Sequence, residues 1–244
     1  MKCKFCNATD IRTLRKIKSP YNGNSYTLYK CNECKSSFFD FREWNYNPVN
    51  LYNNLADKFI HSDNFIESLY WKNEVKIIKS LKYNIANVLD IGCRTGDFLM
   101  HWDEKINKYG IELSSKNAII AKKRGLHVYE DFIENIDFNN LKFDIISCYA
   151  ILEHLEDPNS VLNKLSNIVS KDGILVILVP YFNSIKSQIL YLINYRWHMF
   201  SPPGHFNFFS KYFLDTFLSS KGFSLVKYKY TSGGMFNPFR KIPI

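Results

Sequence analysis

Apolar and polar positions alternate with two different periods along the middle of the chain. Short apolar runs, which predict buried strands, cover residues 87–91, 108–112, 127–129, 143–149 and 174–179. Apolar positions at helical spacing, which predict the intervening helices, cover residues 97–106, 115–124 and 159–170. This alternation of strands and helices predicts an α/β fold with a doubly wound, mostly parallel sheet that is covered on both faces.

The segments around this repeat follow other patterns. The elements predicted there are a short strand at 35–41, one or two helices within 51–82, a helix at 211–221 and a strand at 223–230. Within the repeat, Asp172-Gly173 predicts the turn that leads out of the last helix into the strand that follows.

Residues 181–210 break the repeat. This stretch is rich in aromatic residues and carries two of the six histidines. A connection of this length and composition between sheet elements predicts a lid or a substrate wall. We therefore divide the chain into an N-terminal segment at 1–45, a linker with helices at 46–84, and a domain at 85–244 that carries the lid.

Composition and charge narrow the function classes. The chain has 244 residues, of which 46% are hydrophobic, and this is enough for one large core. It contains no run of eighteen apolar residues, so we expect no membrane span, no export and a cytoplasmic location. The formal net charge is +9, and residues 1–45 hold nine Lys or Arg against four Asp or Glu. This surplus favours a nucleic acid, an anionic membrane surface or a phosphorylated partner, unless it reflects a compositional bias towards lysine and asparagine.

Four of the six cysteines form two Cys-x-x-Cys pairs, Cys3 with Cys6 and Cys31 with Cys34. Each pair can sit on a tight turn with both thiolates aimed at one tetrahedral ion, and the spacing leaves room for a hairpin between the turns. The sequence therefore predicts a structural zinc ribbon, with a redox pair or an iron-sulfur site as alternatives. Cys93 and Cys148 are most simply small buried residues.

The segment from Val88 to Leu99 predicts a buried strand that turns sharply through Gly92 and Gly96 into a helix. Such a turn lies at the carboxyl edge of a parallel sheet, where glycine lets the backbone approach a nucleoside-bearing cofactor. Glu112 ends the next strand, and a carboxylate at that place can accept both ribose hydroxyls. Many turns with two glycines bind nothing, so the acid that follows is what favours a binding site.

Five segments in this order resemble the motif set of class I S-adenosylmethionine-dependent methyltransferases, of the group that includes small-molecule and sugar-modifying enzymes. The segments are 88–99, 110–113, 143–148, 152–158 and 173–180. The resemblance covers roughly residues 50 to 230. It implies a Rossmann-like methyltransferase sheet, S-adenosylmethionine as the cofactor, and transfer of its methyl group to an acceptor.

The resemblance also implies which residues would contact the cofactor. They are Asp90, Gly92, Cys93 and Gly96 at the methionine end, Glu112 at the ribose, Leu113, Asp131 and Phe132 at the adenine, and Cys148 and Tyr149 facing the methyl group. Glu130 competes with Asp131 for its role, and a solvated acidic loop is the simpler interpretation of both. The chain departs from the family at Arg94, where a second glycine is usual. A position that needs a positive φ, or close contact with the cofactor, would make this arginine unfavourable.

Histidines supply the candidate catalytic groups. His154 follows the strand at 143–149 and can be a general base, an orienting hydrogen-bond partner or a packed side chain. His205 lies in a Pro-Pro-Gly-His segment that resembles one in many sugar and small-metabolite methyltransferases, and it can contact the substrate or serve the loop alone. Arg196 and His198 are candidates for gripping a substrate phosphate, with a plain surface position as the alternative.

Three hypotheses follow. The first is a methyltransferase that acts on a hydroxyl of a small polar metabolite, such as a sugar or sugar nucleotide of surface polysaccharide, with a phosphorylated or nucleotide-linked substrate as its partner. The second is a ribosomal or transfer RNA methyltransferase that holds RNA through the basic zinc ribbon. The third is a non-catalytic partner protein that keeps the fold but has lost cofactor affinity through Arg94.

Overall fold

The computed structural model describes residues 1–40, 65–230 and 235–241, and the side chains of 1–40 and 67–230. The strands are β1 (Ile11–Lys18), β2 (Ser25–Cys31), β3 (Ser37–Phe39), β4 (Asn87–Ile91), β5 (Asn107–Ile111), β6 (His127–Tyr129), β7 (Phe143–Tyr149), β8 (Val169–Pro180), β9 (Asn207–Phe208), β10 (Ser224–Tyr230) and β11 (Met235–Lys241). The helices are α1 (Phe65–Leu81), α2 (Asp97–Met100), α3 (Ser115–Lys123), α4 (Pro158–Ile168), α5 (Ile185–Leu192) and α6 (Lys211–Ser220). Within the described residues no helix combines the length and the apolar character that crossing a membrane requires.

The chain divides into two compact units. The first, which we call the four-cysteine unit, comprises Met1–Tyr46, Ala150–Leu162 and Ile177–Phe239. The second, the sheet unit, comprises Asn47–Tyr149, Asn163–Val176 and Arg240–Ile244.

A seven-stranded sheet has the hydrogen-bonded order β10-β11-β8-β7-β4-β5-β6. In the sheet unit β4 pairs in parallel with β5 on one side and with β7 on the other, and β5 pairs in parallel with β6. The register places Asp90 opposite Gly110 and Ser147. Near-continuous apolar strands such as β4 and β7 suit this arrangement, because helices cover both faces of a parallel sheet. The predicted α/β fold with a central parallel sheet is confirmed.

The four-cysteine unit contains a second, four-stranded sheet in the order β1-β2-β3-β9. Its pairs are antiparallel, and the last of them joins Ser37 and Phe38 of β3 to the two residues of β9. Large aromatic side chains fill the core of this unit, and the fully buried ones include Phe39, Trp197, Phe200, Phe206 and Phe208. Residues from the predicted lid segment 181–210 therefore complete the sheet that begins at the amino terminus.

Several predicted element boundaries are wrong. The helix predicted at 97–106 ends at Met100. The backbone amides that follow donate to the carbonyl three residues earlier instead of four, as Trp102 does to Leu99 at 3.2 Å, and the tight turn that results buries the Trp102 ring. The strand predicted at 174–179 begins already at Val169, so Asp172 lies within β8, with a positive φ of 66°. Within the predicted strand 35–41, the structure shows a strand at Ser37–Phe39 only. The last residue of the prediction, Phe41, lies outside the described residues.

The helix predicted within 51–82 is present from Phe65 to Leu81, and the earlier part of that prediction lies outside the described residues. The division into 1–45, 46–84 and 85–244 stays a prediction.

Candidate active site

The turn after β4 has the conformation that its glycines suggest. Gly92 and Gly96 have φ values of 73° and 89°, in the left-handed region that glycine enters without steric cost. A Cβ on Gly96 would lie 2.1 Å from the Cδ1 atom of Leu126, so a side chain there has no room. The backbone amides of Gly92 and Cys93 both donate to the carbonyl of Ile111, at 2.8 and 3.0 Å. The turn is therefore fixed against the end of β5, as a cradle for a ligand at the sheet edge would require.

Asp90 lies near the end of β4, 5% exposed, and accepts a hydrogen bond of 2.6 Å from the Ser147 hydroxyl of β7. Burial raises the pKa of Asp90 to about 7, and repulsion from the Glu112 carboxylate adds to this, while the Ser147 bond opposes it. A carboxylate buried at the tip of the strand is available to a positively charged ligand, because such a ligand would offset the cost of its burial.

Glu112 follows β5 and is also buried. Its Oε2 accepts the backbone amide of Arg94 at 2.9 Å, and its Oε1 accepts that of Ser114 at 2.7 Å. Burial raises its pKa, and these two amide bonds work in the opposite direction. Each carboxylate oxygen has a second lone pair, so both can still accept a hydroxyl. The residues present therefore fit the ribose of a nucleoside cofactor.

Arg94 has a φ of 51°, so the position does adopt the left-handed conformation in which glycine is usual. Its guanidinium lies 3.7 Å from the carboxylate of Glu67 on α1, and 47% of its side chain is exposed. A side chain with half of its surface in solvent is not a buried plug. The backbone at Arg94 is therefore strained, and its side chain extends towards the solvent and Glu67.

The loop after β6 carries the predicted adenine contacts. Asp131 is exposed, and its Oδ1 accepts the backbone amide of Phe132 at 2.7 Å and the side-chain amide of Asn135 at 2.8 Å. Glu130, its competitor, pairs with Lys122. Asp131 caps the turn of the loop with one oxygen, which leaves the other for a ligand, and Leu113 and Phe132 are half-buried.

Cys148 and Tyr149 end β7. Cys148 is fully buried, and the Tyr149 hydroxyl donates to Glu74 of α1 at 3.2 Å. Burial, with the Glu74 carboxylate next in importance, raises the pKa of Tyr149. Sequence reasoning missed Glu74, although a signal existed: it is a carboxylate three residues after Trp71 and four before Ile78, on the apolar face of the predicted helix.

His154 and His205 lie together in the four-cysteine unit. Their ring centroids are 4.8 Å apart, and His154 Nδ1 contacts the Gly204 carbonyl at 2.7 Å while His205 Nδ1 contacts the Met199 carbonyl at 3.0 Å. Since a carbonyl can only accept, the Nδ1 of His205 carries the proton, while the His154 ring has a second backbone hydrogen bond, with Ala150. Burial lowers the pKa of both rings, that of His154 to about 3 with a contribution from His205.

Glu153, which the sequence analysis left without a role, lies beside these histidines and is fully buried. Burial raises its pKa to about 8. Its backbone carbonyl accepts the amide of Phe206 at 3.0 Å, which ties the segment after β7 to the segment before β9. A signal for Glu153 was available in its sequence, since an acid followed by a histidine stands directly after a buried strand.

The two residues predicted to grip a phosphate, Arg196 and His198, are both exposed. Between them the Trp197 ring is fully buried in the aromatic core and stacks on Phe182 at 6.1 Å between ring centroids. This anchor holds the two polar neighbours at the surface of the four-cysteine unit. Their role stays a prediction.

The four cysteines Cys3, Cys6, Cys31 and Cys34 converge in space. The Sγ atoms of Cys3 and Cys34 are 3.7 Å apart and those of Cys6 and Cys31 are 3.6 Å apart, with all four within 4.8 Å of one another. Four thiolates around one tetrahedral zinc ion, each at about 2.3 Å, are separated by similar distances. All four cysteines are free of disulfides.

Comparisons with known proteins agree with this geometry. Residues 54–228 match the family described as a methyltransferase domain. The chain is 27% identical over 203 residues to the ubiquinone/menaquinone biosynthesis C-methyltransferase of Campylobacter jejuni strain 81-176. This alignment covers 71% of this chain and 81% of that protein. It is 27% identical over 189 residues to the ubiquinone biosynthesis O-methyltransferase of Colwellia psychrerythraea, covering 71% of each.

A solved structure shares the fold. The S-adenosylmethionine-bound amino pentose methyltransferase of Micromonospora echinaspora superposes with a TM-score of 0.56, at 15% identity, covering 75% of this chain and all of that chain. The fold and the strand-tip site thus define a nucleoside-cofactor α/β enzyme. The chain belongs to the methyltransferase-domain family, and it is an S-adenosylmethionine-dependent methyltransferase.

Proposed function

We propose that this enzyme methylates a hydroxyl of a small polar metabolite, with sugars and sugar nucleotides of surface polysaccharide as the substrate class and the cytoplasm as its location. S-adenosylmethionine supplies an electrophilic methyl group on a sulfonium. The chain itself must orient the acceptor, exclude water and remove the hydroxyl proton. The observation that carries the proposal is the half-buried pair of histidines, because removal of that proton requires an acceptor.

His205 is held in one tautomer. Its Nδ1–H donates to the Met199 carbonyl, so in the neutral ring the lone pair lies on Nε2, while His154 contacts the Gly204 carbonyl through Nδ1 and has a further backbone hydrogen bond with Ala150. A ring that is fixed through Nδ1 and accepts through Nε2 is arranged as a general base or as an orienting acceptor for a hydroxyl. This favours a hydroxyl substrate over an amine acceptor, because a neutral amine can attack the methyl group through its own lone pair before it loses a proton.

The sheet unit supplies the residues that would hold the cofactor. We assign the methionine end to Asp90, Gly92, Cys93 and Gly96, the ribose to Glu112, the adenine to Leu113, Asp131 and Phe132, and the surroundings of the methyl group to Cys148 and Tyr149. The buried Asp90 carboxylate and the second lone pairs of Glu112 support the first two assignments. Arg196 and His198 would grip a phosphate of the substrate, and the buried Trp197 between them supports this by fixing their backbone.

The four cysteines would hold one structural Zn²⁺. The short sulfur–sulfur distances support this, and four protein ligands leave no position open for catalysis. The small β1–β3 sheet gains stability from such an ion, since metal-binding energy adds directly to folding energy in segments this small.

The RNA alternative is less well supported by the contacts of the basic residues. Arg15 donates to the Asn194 side chain at 2.9 Å and lies over the Tyr191 ring, Lys30 donates to Asn183 at 3.1 Å, and Lys4 is largely buried. These cations are used inside the four-cysteine unit, so they do not contribute fully to a backbone-binding surface.

The experiment that tests the proposal uses methyl-labelled S-adenosylmethionine, the full chain, and two acceptor panels, one of sugars and nucleotide sugars and one of bulk ribosomal and transfer RNA. We expect label to enter a hydroxyl of a sugar-panel member. His205→Gln should lower kcat at least tenfold while leaving cofactor affinity unchanged, and His127→Gln, an exposed histidine in β6, is the control. Label in RNA, or an unaffected His205→Gln enzyme, would overturn the proposal.

A further inference from the structure

We propose that Glu153, His154 and His205 form a binding site for a divalent cation of the first transition series, separate from the four-cysteine site. One ligand atom from each of the three residues lies within 4.8 Å of the other two. Two imidazoles and a carboxylate are the donor set that binds Zn²⁺, Fe²⁺ or Mn²⁺ through three protein ligands.

The carboxylate of Glu153 is the first reason. The residue is fully buried, and among the described residues neither of its side-chain oxygens has a hydrogen-bond partner. Buried carboxylates are ordinarily paired, hydrogen-bonded or bound to a metal ion. A cation between Glu153 and the two histidines would supply the missing partner.

The orientation of the histidines is the second, independent reason. His205 Nδ1 lies 3.0 Å from the Met199 carbonyl and His154 Nδ1 lies 2.7 Å from the Gly204 carbonyl, and His154 has a further backbone hydrogen bond with Ala150. Histidines that bind metal ions commonly donate their other ring nitrogen to such an acceptor, which fixes the ring and directs the remaining lone pair at the ion. His205 has this arrangement, and the backbone bonds of His154 fix its ring beside it.

The backbone around the site is fixed without an ion. The amide of Phe206 donates to the Glu153 carbonyl at 3.0 Å, and the side-chain amide of Asn207 donates to the carbonyls of Leu152 and Leu155 at 2.9 and 2.7 Å. These bonds join the segment that carries Glu153 and His154 to the segment that carries His205. The three ligands therefore keep their relative positions, which lowers the entropy cost of binding an ion.

The two sites in the four-cysteine unit differ in chemistry. Four thiolates are soft ligands that select Zn²⁺ and saturate it, whereas two imidazoles and one carboxylate leave coordination positions open. An oxygen donor can occupy such a position. Resting on the proposed function, the inference is that the cation would supply a bound hydroxide, which accepts the proton of the acceptor hydroxyl and becomes bound water, so that His154 and His205 would remove the proton through the ion that they hold.

The test is a titration with Co²⁺ of the full chain loaded with one equivalent of Zn²⁺, which fills the four-cysteine site first, and it is followed by heat and by visible absorption. Zn²⁺ binds more tightly than Co²⁺, so the four-cysteine site should keep its zinc. We expect one further cobalt ion per chain, with weak d–d absorption and without the intense thiolate charge-transfer bands of a four-cysteine cobalt site. The readout is independent of methyl transfer, so a failed acceptor assay leaves it interpretable.

Two variants test the ligands, with matched controls. Glu153→Gln keeps the shape of the side chain but removes the charge, and we expect it and His205→Asn each to weaken cobalt binding at least tenfold. Glu156→Gln, in the same segment as Glu153, and His127→Asn, in β6, change exposed residues and should bind cobalt as the wild type does. Thermal unfolding of each variant shows whether it is folded.

Two outcomes would overturn the inference. One is a folded wild-type chain that takes up no cobalt while its four-cysteine site keeps its zinc. The other is cobalt binding that persists unchanged in both folded ligand variants, which would place the ion elsewhere.

Discussion

The two units of the chain assemble their candidate sites in different ways. In the sheet unit the proposed cofactor residues all lie at or shortly after the carboxyl ends of neighbouring parallel strands, between Asp90 and Tyr149. In the four-cysteine unit the groups that converge come from distant parts of the chain, such as Cys3 with Cys34 and His154 with His205. The first kind of site follows from local sequence and sheet topology, and the second requires long-range pairing.

The sources of stability differ in the same way. Strands β4 and β7 bury Leu89 and Ile146 completely and exchange regular parallel hydrogen bonds. The four-cysteine unit has one short strand of three residues, another of two, an aromatic core and a cluster of cysteines. We therefore expect the sheet unit to be stable through burial alone, and the four-cysteine unit to depend on its metal ion as well.

The strongest way to break this comparison is to remove the proposed zinc ion. Cys31→Ser should lose zinc and, with it, most of the stability of β1–β3, because structural zinc contributes on the order of 10 kcal/mol to small zinc domains. Hydrogen exchange should show lost protection in β1, β2, β3 and β9, with protection kept in β4, β5 and β7. Cys93→Ala, which removes a buried thiol from the sheet unit, is the control and should keep its zinc. Equal loss of protection in both units would contradict the expected difference.

A matched pair of core truncations sharpens the comparison. Phe208 and Phe143 are both almost fully buried, the former in β9 and the latter in β7. Replacing either by alanine should lower the free energy of unfolding by about 3–5 kcal/mol, since each substitution leaves a cavity. Hydrogen exchange should place the damage of Phe208→Ala in β1–β3 and that of Phe143→Ala in β4–β7. Identical exchange patterns from the two variants would mean that the units unfold as one cooperative block.

Much of the sheet unit was predictable because its signals are local. Strand β7 runs from Phe143 to Tyr149, as its apolar run predicts, and the turn with Gly92 and Gly96 is where the glycines place it. Parallel sheets bring the carboxyl ends of adjacent strands together, so Asp90 and Glu112 could be assigned to one site without any knowledge of tertiary contacts.

In the four-cysteine unit, contacts between residues far apart in the sequence were predictable only where a sequence motif indicates both partners. The two Cys-x-x-Cys pairs indicate their own convergence, since a shared ion links them. The pairing of β3 with β9 leaves no such signal, because two residues are too few to show a period and their partner lies about 170 positions away. The neighbourhood of Glu153 and His205 depends on that pairing, so the Glu-His step marks Glu153 as a candidate in the sequence but does not indicate that it lies beside His205.

A charge effect in the sheet unit comes from Asp90. The pKa of Asp90 is about 7 in the folded chain, above the ordinary value of 3.8. Between these values the folded chain holds a proton that the unfolded chain has released, so the contribution of this group to stability falls as pH rises from about 4 to about 7. Asp90→Asn should remove this fall and raise the free energy of unfolding at pH 8 by up to about 4 kcal/mol relative to the wild type.

Urea denaturation at pH 5 and pH 8 measures this effect. Ser147→Ala is the companion variant: it removes the hydroxyl that stabilises the Asp90 carboxylate, so the fall in stability should become steeper. A wild-type protein whose stability does not decrease between these pH values, or an Asp90→Asn variant with the same pH dependence as the wild type, would contradict the assignment.

The smallest expected effect tests whether Arg94 takes part in the sheet-unit site. Arg94→Gly removes the strain of an arginine in the left-handed conformation, which costs about 1 kcal/mol. The substitution also makes the unfolded chain more flexible, which lowers the free energy of unfolding by a similar amount, and it removes the ion pair with Glu67. The free energy of unfolding should therefore change by less than about 1 kcal/mol. Affinity for S-adenosylmethionine, measured by calorimetry, should stay within about threefold of the wild type, and Glu67→Gln should behave alike. A tenfold loss of affinity in Arg94→Gly alone would show that the guanidinium contacts the cofactor, because Glu67→Gln removes the same ion pair and keeps the arginine.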